Sequence, residues 1–76
     1  MAVAMPAPEP ELFFRSLFDS KAVQQGAVIR RKVRDVERLV GRDALFDELR
    51  RRGFSAVENA GQFVIFCNSE PIRRVL

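Results

Sequence analysis

The sequence predicts a small α+β domain, and three observations carry that expectation. Apolar residues recur at helical spacing in the first half of the chain, the last third follows a period of two around a glycine turn, and a short β-branched segment follows a glycine between them. At 76 residues the chain has room for one domain, and a domain of this size buries only about 60 % of the surface its unfolded chain exposes, so its core is narrow. The predicted order is an N-terminal helix, a short edge strand, two short helices and a C-terminal antiparallel β-meander.

Residues 1–10, MAVAMPAPEP, hold three of the four prolines and no periodic pattern, which predicts a flexible, extended tail ahead of a single α+β domain over residues 11–76. Helix one is expected over 11–26: Phe14, Leu17 and Phe18, with Phe13 and Ala22 at the margins, share a face, Glu9 and Glu11 suit its start and Gly26 its end. The segment 27–33, AVIRRKV, is β-branched and interrupted by charge, as an edge strand is.

The next segment, 34–53, is predicted as two helices rather than one. At about 100° per residue, Val36 and Val40 lie together while Leu45 and Leu49 fall on the opposite side, so one straight rod would expose one of the pairs. A break at Gly41 removes the conflict, with Asp43 expected to cap the second helix. Two helices over 34–40 and 43–52 follow, the second ended by Gly53 with Arg50, Arg51 and Arg52 in its last turn. Beyond it, 54–58 reads as a strand, 59–61 as a turn and 62–67 as a returning strand. That strand is apolar on both faces and therefore expected to be central and covered. A turn at 68–71 and a third strand at 72–76 complete the meander.

Hydrophobic residues at 47 % and charged residues at 30 % describe an ordinary globular chain. The longest apolar run, Phe63 to Cys67, is far too short to cross a bilayer. The opening residues lack the basic and apolar regions of a secretory signal, and a single cysteine makes no internal disulfide, so a cytoplasmic location is expected.

The chain contains no histidine, which removes the commonest general base and the commonest zinc ligand together. Cys67 ends an apolar strand and is expected to act as a small buried hydrophobe. Asp43, Asp47 and Glu48 are expected to cap a helix and to pair with the arginines a turn away. Gly26, Gly41, Gly53 and Gly61 are scattered and form no phosphate-cradling loop. The sequence therefore predicts a non-catalytic protein without metal or cofactor.

Its chemistry lies in charge. Thirteen Lys and Arg stand against ten Asp and Glu, and eleven of the thirteen are Arg, the side chain suited to bidentate contact with phosphate or carboxylate. Nine of the thirteen fall into two groups. Arg30, Arg31, Lys32, Arg34, Arg38 and Arg42 surround the strand-to-helix junction, and Arg50, Arg51 and Arg52 end the later helix. This density predicts a small nucleic-acid-binding module whose contacts are mainly to phosphate. The three consecutive arginines span about 200° of helix circumference, so all three cannot meet one partner. The alternative reading is a protein-interaction module or accessory subunit, docking on a larger protein through its edge strand or through Phe14, Leu17 and Phe18 of the amphipathic N-terminal helix.

Two resemblances add to this. The order helix, strand, helix, glycine turn, helix and two-stranded hairpin over 11–67 resembles a winged helix-turn-helix domain. That likeness implies that the helix from Asp43 to Arg52 enters a DNA groove, that Arg42, Arg50, Arg51 and Arg52 touch DNA, and that 59–61 forms the wing tip. Over 43–76, DELRRRGFSAVENAGQFVIFCNSEPIRRVL is similar to HicA-type toxins, RNA-cleaving proteins related in shape to double-stranded-RNA-binding domains. That family's catalytic histidine follows the glycine of the hairpin. Here Gln62 and Phe63 follow Gly61, so the likeness implies RNA binding without cleavage.

Overall fold

The computed structural model describes residues 9–76. Residues 1–8, most of the stretch expected to be a tail, lie outside the described residues. The elements run α1 (Glu9–Phe18), α2 (Lys21–Gln24), β1 (Val28–Lys32), α3 (Val33–Leu39), α4 (Arg42–Arg52), β2 (Ser55–Asn59) and β3 (Gln62–Phe66). They form an α+β domain in which helices pack on one face of a three-stranded antiparallel sheet ordered β1-β3-β2.

The N-terminal helical region is two helices where one is expected. Phe14, Leu17, Phe18 and Val23 keep a continuous apolar face, but the chain turns at Asp19 and Ser20, and the Ser20 hydroxyl accepts the Val23 backbone N–H at 3.3 Å as the cap of a fresh helical turn. A serine cap satisfies an N–H that would otherwise lack an intrahelical partner.

The expected break between α3 and α4 falls at Gly41. Its backbone, φ 85° and ψ 148°, is open to glycine alone, and it lets Val36 and Leu45 both reach the interior at 0 % exposure. Gly41 itself is the N-cap of α4, with no side chain to bond, and Asp43 lies one residue inside the helix start. The expected cap is thus replaced by a backbone turn in which the Gly41 N–H donates to Val36 O at 2.8 Å. At the far end Gly53 N–H donates to Arg50 O and Phe54 N–H to Leu49 O, a paired closure that delivers Phe54 to the core.

The hairpin turns through Ala60 (φ 52°) and Gly61 (φ 76°), both left-handed, as a two-residue loop between right-twisted strands requires. β3 is central, as expected, because β1 and β2 flank it. The third strand is β1, and residues 72–76 form none. The place beside β3 that those residues would fill is already taken, since the Cys67 N–H donates to Ala27 O at 3.1 Å on the β1 side. The turn before them does form, with Asn68 Oδ1 accepting the Glu70 N–H at 3.0 Å.

Phe63, Ile65 and Cys67 of the central strand region meet Leu17, Phe18, Val23, Ile29, Val36, Leu45 and Leu49 in one core. Directly opposed residues share a sheet face, so Val28, Arg30 and Lys32 of β1, Gln62, Val64 and Phe66 of β3, and Ser55, Val57 and Asn59 of β2 lie on the other face. That face is not covered as expected: Val28 is 50 % and Val57 41 % exposed, and Val64 and Phe66 are half-buried.

Candidate nucleic-acid interface

The eight arginines expected to meet a ligand separate into two sets by what they touch. Five are held by carboxylates. Arg38 reaches Asp35 at 3.5 Å, and Arg50 reaches Asp47 at 2.8 Å. Arg51 and Arg52 both bond Glu48, Arg52 at 2.7 Å. Arg42 bridges Glu37 of α3 at 3.0 Å and Glu58 of β2 at 3.4 Å while its guanidinium lies 5.3 Å from the Phe63 ring centre. Glu37 thus serves Arg42 rather than the nearer Arg34.

The α4 arginines are the more deeply committed. Glu48 is 8 % exposed, and the hydrogen bond from Arg51, aided by that from Arg52, holds its carboxyl below the ordinary range against the opposing pull of burial. Arg52 also stacks at 4.2 Å over Phe18, an arrangement that ties the end of α4 to α1. Between α1 and α4 lies an open cleft lined by Phe14, Arg15, Asp19, Glu48, Arg51 and Arg52. Its guanidinium groups are all matched, Arg15 by Glu11 at 3.3 Å. The outward stripe of α4 carries Asp43 and Asp47 beside Arg50.

The second set is Arg30, Arg31 and Arg34, joined by Lys32. All four are exposed, and among the described residues none has a carboxylate within salt-bridge distance. Strand alternation places Arg30 and Lys32 on the open sheet face and Arg31 on the other side of the same edge strand. Arg34 is the second residue of α3, at the helix end whose dipole disfavours a cation. The Val33 N–H donates to Gly61 O at 2.9 Å, so this basic stretch adjoins the hairpin tip. These four follow one another along β1 and the start of α3, with Arg31 on the core side of the edge strand, and they share no carboxylate with the arginines that end α4.

Sequence reasoning passed over the open sheet face. Its signal was the exposed partner strand SAVEN, whose small and polar residues give β3 a neighbour but no cover.

Phe14, Leu17 and Phe18 lie in or against this domain's own core, Leu17 at 2 % and Phe18 at 5 % exposure with Phe14 packed beside them. Their apolar stripe is turned inward. Cys67 is 3 % exposed, and burial pushes its thiol up despite the nearby Arg31 and Arg52 charges. Among the described residues no three potential metal ligands cluster, and no helix is long and apolar enough to cross a membrane. Comparison with protein-family models, with curated proteins and with solved structures finds no match.

Proposed function

We propose that this protein is a non-catalytic, cytoplasmic nucleic-acid-binding module that grips phosphate through Arg30, Arg31, Lys32 and Arg34. The observation that carries the reading is the contrast just described: these four cations are exposed and unmatched, whereas Arg38, Arg42 and Arg50 to Arg52 are engaged by carboxylates. A phosphate oxygen meets an unmatched guanidinium without first displacing a carboxylate. The neighbouring Asn59 and Gln62 and the half-buried Phe66 on the same sheet face add polar and stacking groups beside the charge.

From β1 onward the order strand, helix, helix and hairpin agrees with the likeness to winged helix-turn-helix domains, while two helices, α1 and α2, precede β1 in place of one. Our reading nevertheless assigns the main contact to β1 and the start of α3, because the outward carboxylates of Asp43 and Asp47 would repel a phosphate backbone approaching α4. The absence of histidine and the inert setting of Cys67 support binding without cleavage.

Fluorescence anisotropy against duplex DNA, single-stranded DNA and RNA over a salt series tests this. Replacing Arg30, Lys32 and Arg34 by Gln should weaken binding at least tenfold and lower the slope of log K against log salt by about 2 to 3. Arg50→Ala should change affinity less than about twofold. Failure to detect salt-dependent binding to any of the three nucleic acids would overturn the proposal.

A further inference from the structure

The two edges of the sheet are unlike. Val33 N–H donates to Gly61 O and Cys67 N–H to Ala27 O, so odd-numbered residues of β3 exchange backbone bonds with β1. Gln62, Val64 and Phe66 exchange theirs with Asn59, Val57 and Ser55. By the same alternation, the backbone groups directed away from the sheet are those of Val28, Arg30 and Lys32 on β1, and those of Ala56 and Glu58 on β2.

The β1 edge is closed to a further strand. Arg31 Nη1 donates at 2.6 Å to the Arg30 carbonyl oxygen, one of the outward acceptors. A second β1 laid antiparallel to it would bring two runs of Arg30, Arg31 and Lys32 together, an arrangement that like charges oppose. The β2 edge has neither guard. Its sequence, SAVEN, holds no cation and no proline, its one charge is engaged by Arg42 at 3.4 Å, and Val57 at its midpoint is 41 % exposed.

We propose that β2 is the docking edge for a second copy of this chain, antiparallel about a two-fold axis through Val57. In that register Ala56 lies opposite the partner's Glu58 and Glu58 opposite the partner's Ala56, so the outward amides and carbonyls of both copies bond each other. Val57 meets its counterpart on the open sheet face, and Ser55 opposes the partner's Asn59. No like charges stand opposite, which is the self-complementarity that a two-fold contact demands. The six-stranded sheet β1-β3-β2-β2-β3-β1 joins the exposed valines and Phe66 of both copies into one surface. It also sends the two basic β1 edges to its far ends, about 24 Å apart at the usual strand spacing, where their repulsion is least. This assembly stands independently of nucleic-acid binding.

Sedimentation equilibrium of the full chain from micromolar to submillimolar concentration reads the outcome. The expected result is reversible association to twice the 8.7 kDa chain mass. Val57→Lys, which opposes two ammonium groups at the axis, and Ala56→Pro, which removes an outward N–H that β3 does not use, should each raise the dissociation constant at least tenfold, with circular dichroism checking the fold. Val28→Lys, on the same face but far from the axis, should leave it unchanged. Hydrogen exchange needs no variant: the Ala56 and Glu58 amides should become protected as concentration rises, while the Arg30 and Lys32 amides should not. A chain monomeric throughout, a dimer indifferent to both edge variants, or one that Val28→Lys disrupts equally would overturn the proposal.

Discussion

Glu48 shows how one side chain can remove two others from the binding surface. Its carboxylate receives Arg51 and Arg52 while almost wholly shielded from water. Arg51 is 73 % exposed and Arg52, though stacked on Phe18, keeps 38 % of its side chain in water, so losing their partner does not strand a fully buried cation. Glu48→Gln is therefore expected to cost only about 1–2 kcal/mol near neutral pH in urea unfolding. The pH dependence has a definite sign. Because the folded-state pKa is depressed, the ion pairs contribute fully above the ordinary glutamate value of about 4.3, and the contribution disappears as pH falls through the folded value. The gap between wild type and Glu48→Gln should narrow steadily on acidification below about pH 4.5. A gap constant across that range would show that the carboxylate acts by shape rather than charge. The Glu48 pairs lie at i+3 and i+4 and could be read from spacing alone. The Arg42 bridge to Glu58 could not, because it spans the hairpin and depends on where β2 is laid.

At the scale of elements, the break at Gly41 was legible because two apolar pairs conflicted on one helical wheel. The break at Asp19 and Ser20 was not, because the apolar face continues across it from Phe14 to Val23, and only the capping serine marks the turn. The Gly41 backbone gives a direct test. A Cβ added there meets no atom within 4 Å, so Gly41→Ala isolates backbone strain from crowding. Thermal or urea unfolding should show a loss of about 1–3 kcal/mol, the cost of holding a substituted residue in a conformation that glycine alone occupies freely. A neutral effect would mean that α3 and α4 can be joined by another turn.

For the whole molecule, the sequence indicated four strands, of which 27–33, 54–58 and 62–67 form as β1, β2 and β3 while 72–76 forms none. Local pattern shows that Ile72 to Leu76 could be extended, whereas the occupant of the second flank of β3 is decided by the distant pairing of Val28 with Phe66. Residues 73–76 are exposed, Val75 at 88 % and Leu76 at 101 %. Deleting them should alter unfolding free energy by less than about 0.5 kcal/mol, and a loss several times larger would indicate that they complete the sheet. The candidate site was half legible for a related reason. Spacing marks the carboxylate partners of Arg38, Arg50, Arg51 and Arg52, whereas only tertiary placement gives Arg42 its partners and leaves Arg30, Arg31 and Arg34 without one.

The central position of the last strand also bears on how the chain assembles. β2 and β3 are joined by a two-residue turn and can pair as soon as both exist, on the microsecond scale of hairpin formation. β1, made much earlier, has no partner until β3 is present, and joining it closes a loop around both α3 and α4. That late, long-range closure, rather than helix formation, is therefore the step expected to limit the rate of folding. During synthesis, the apolar side chains of β1 and the helices wait for the final strand before they share a core.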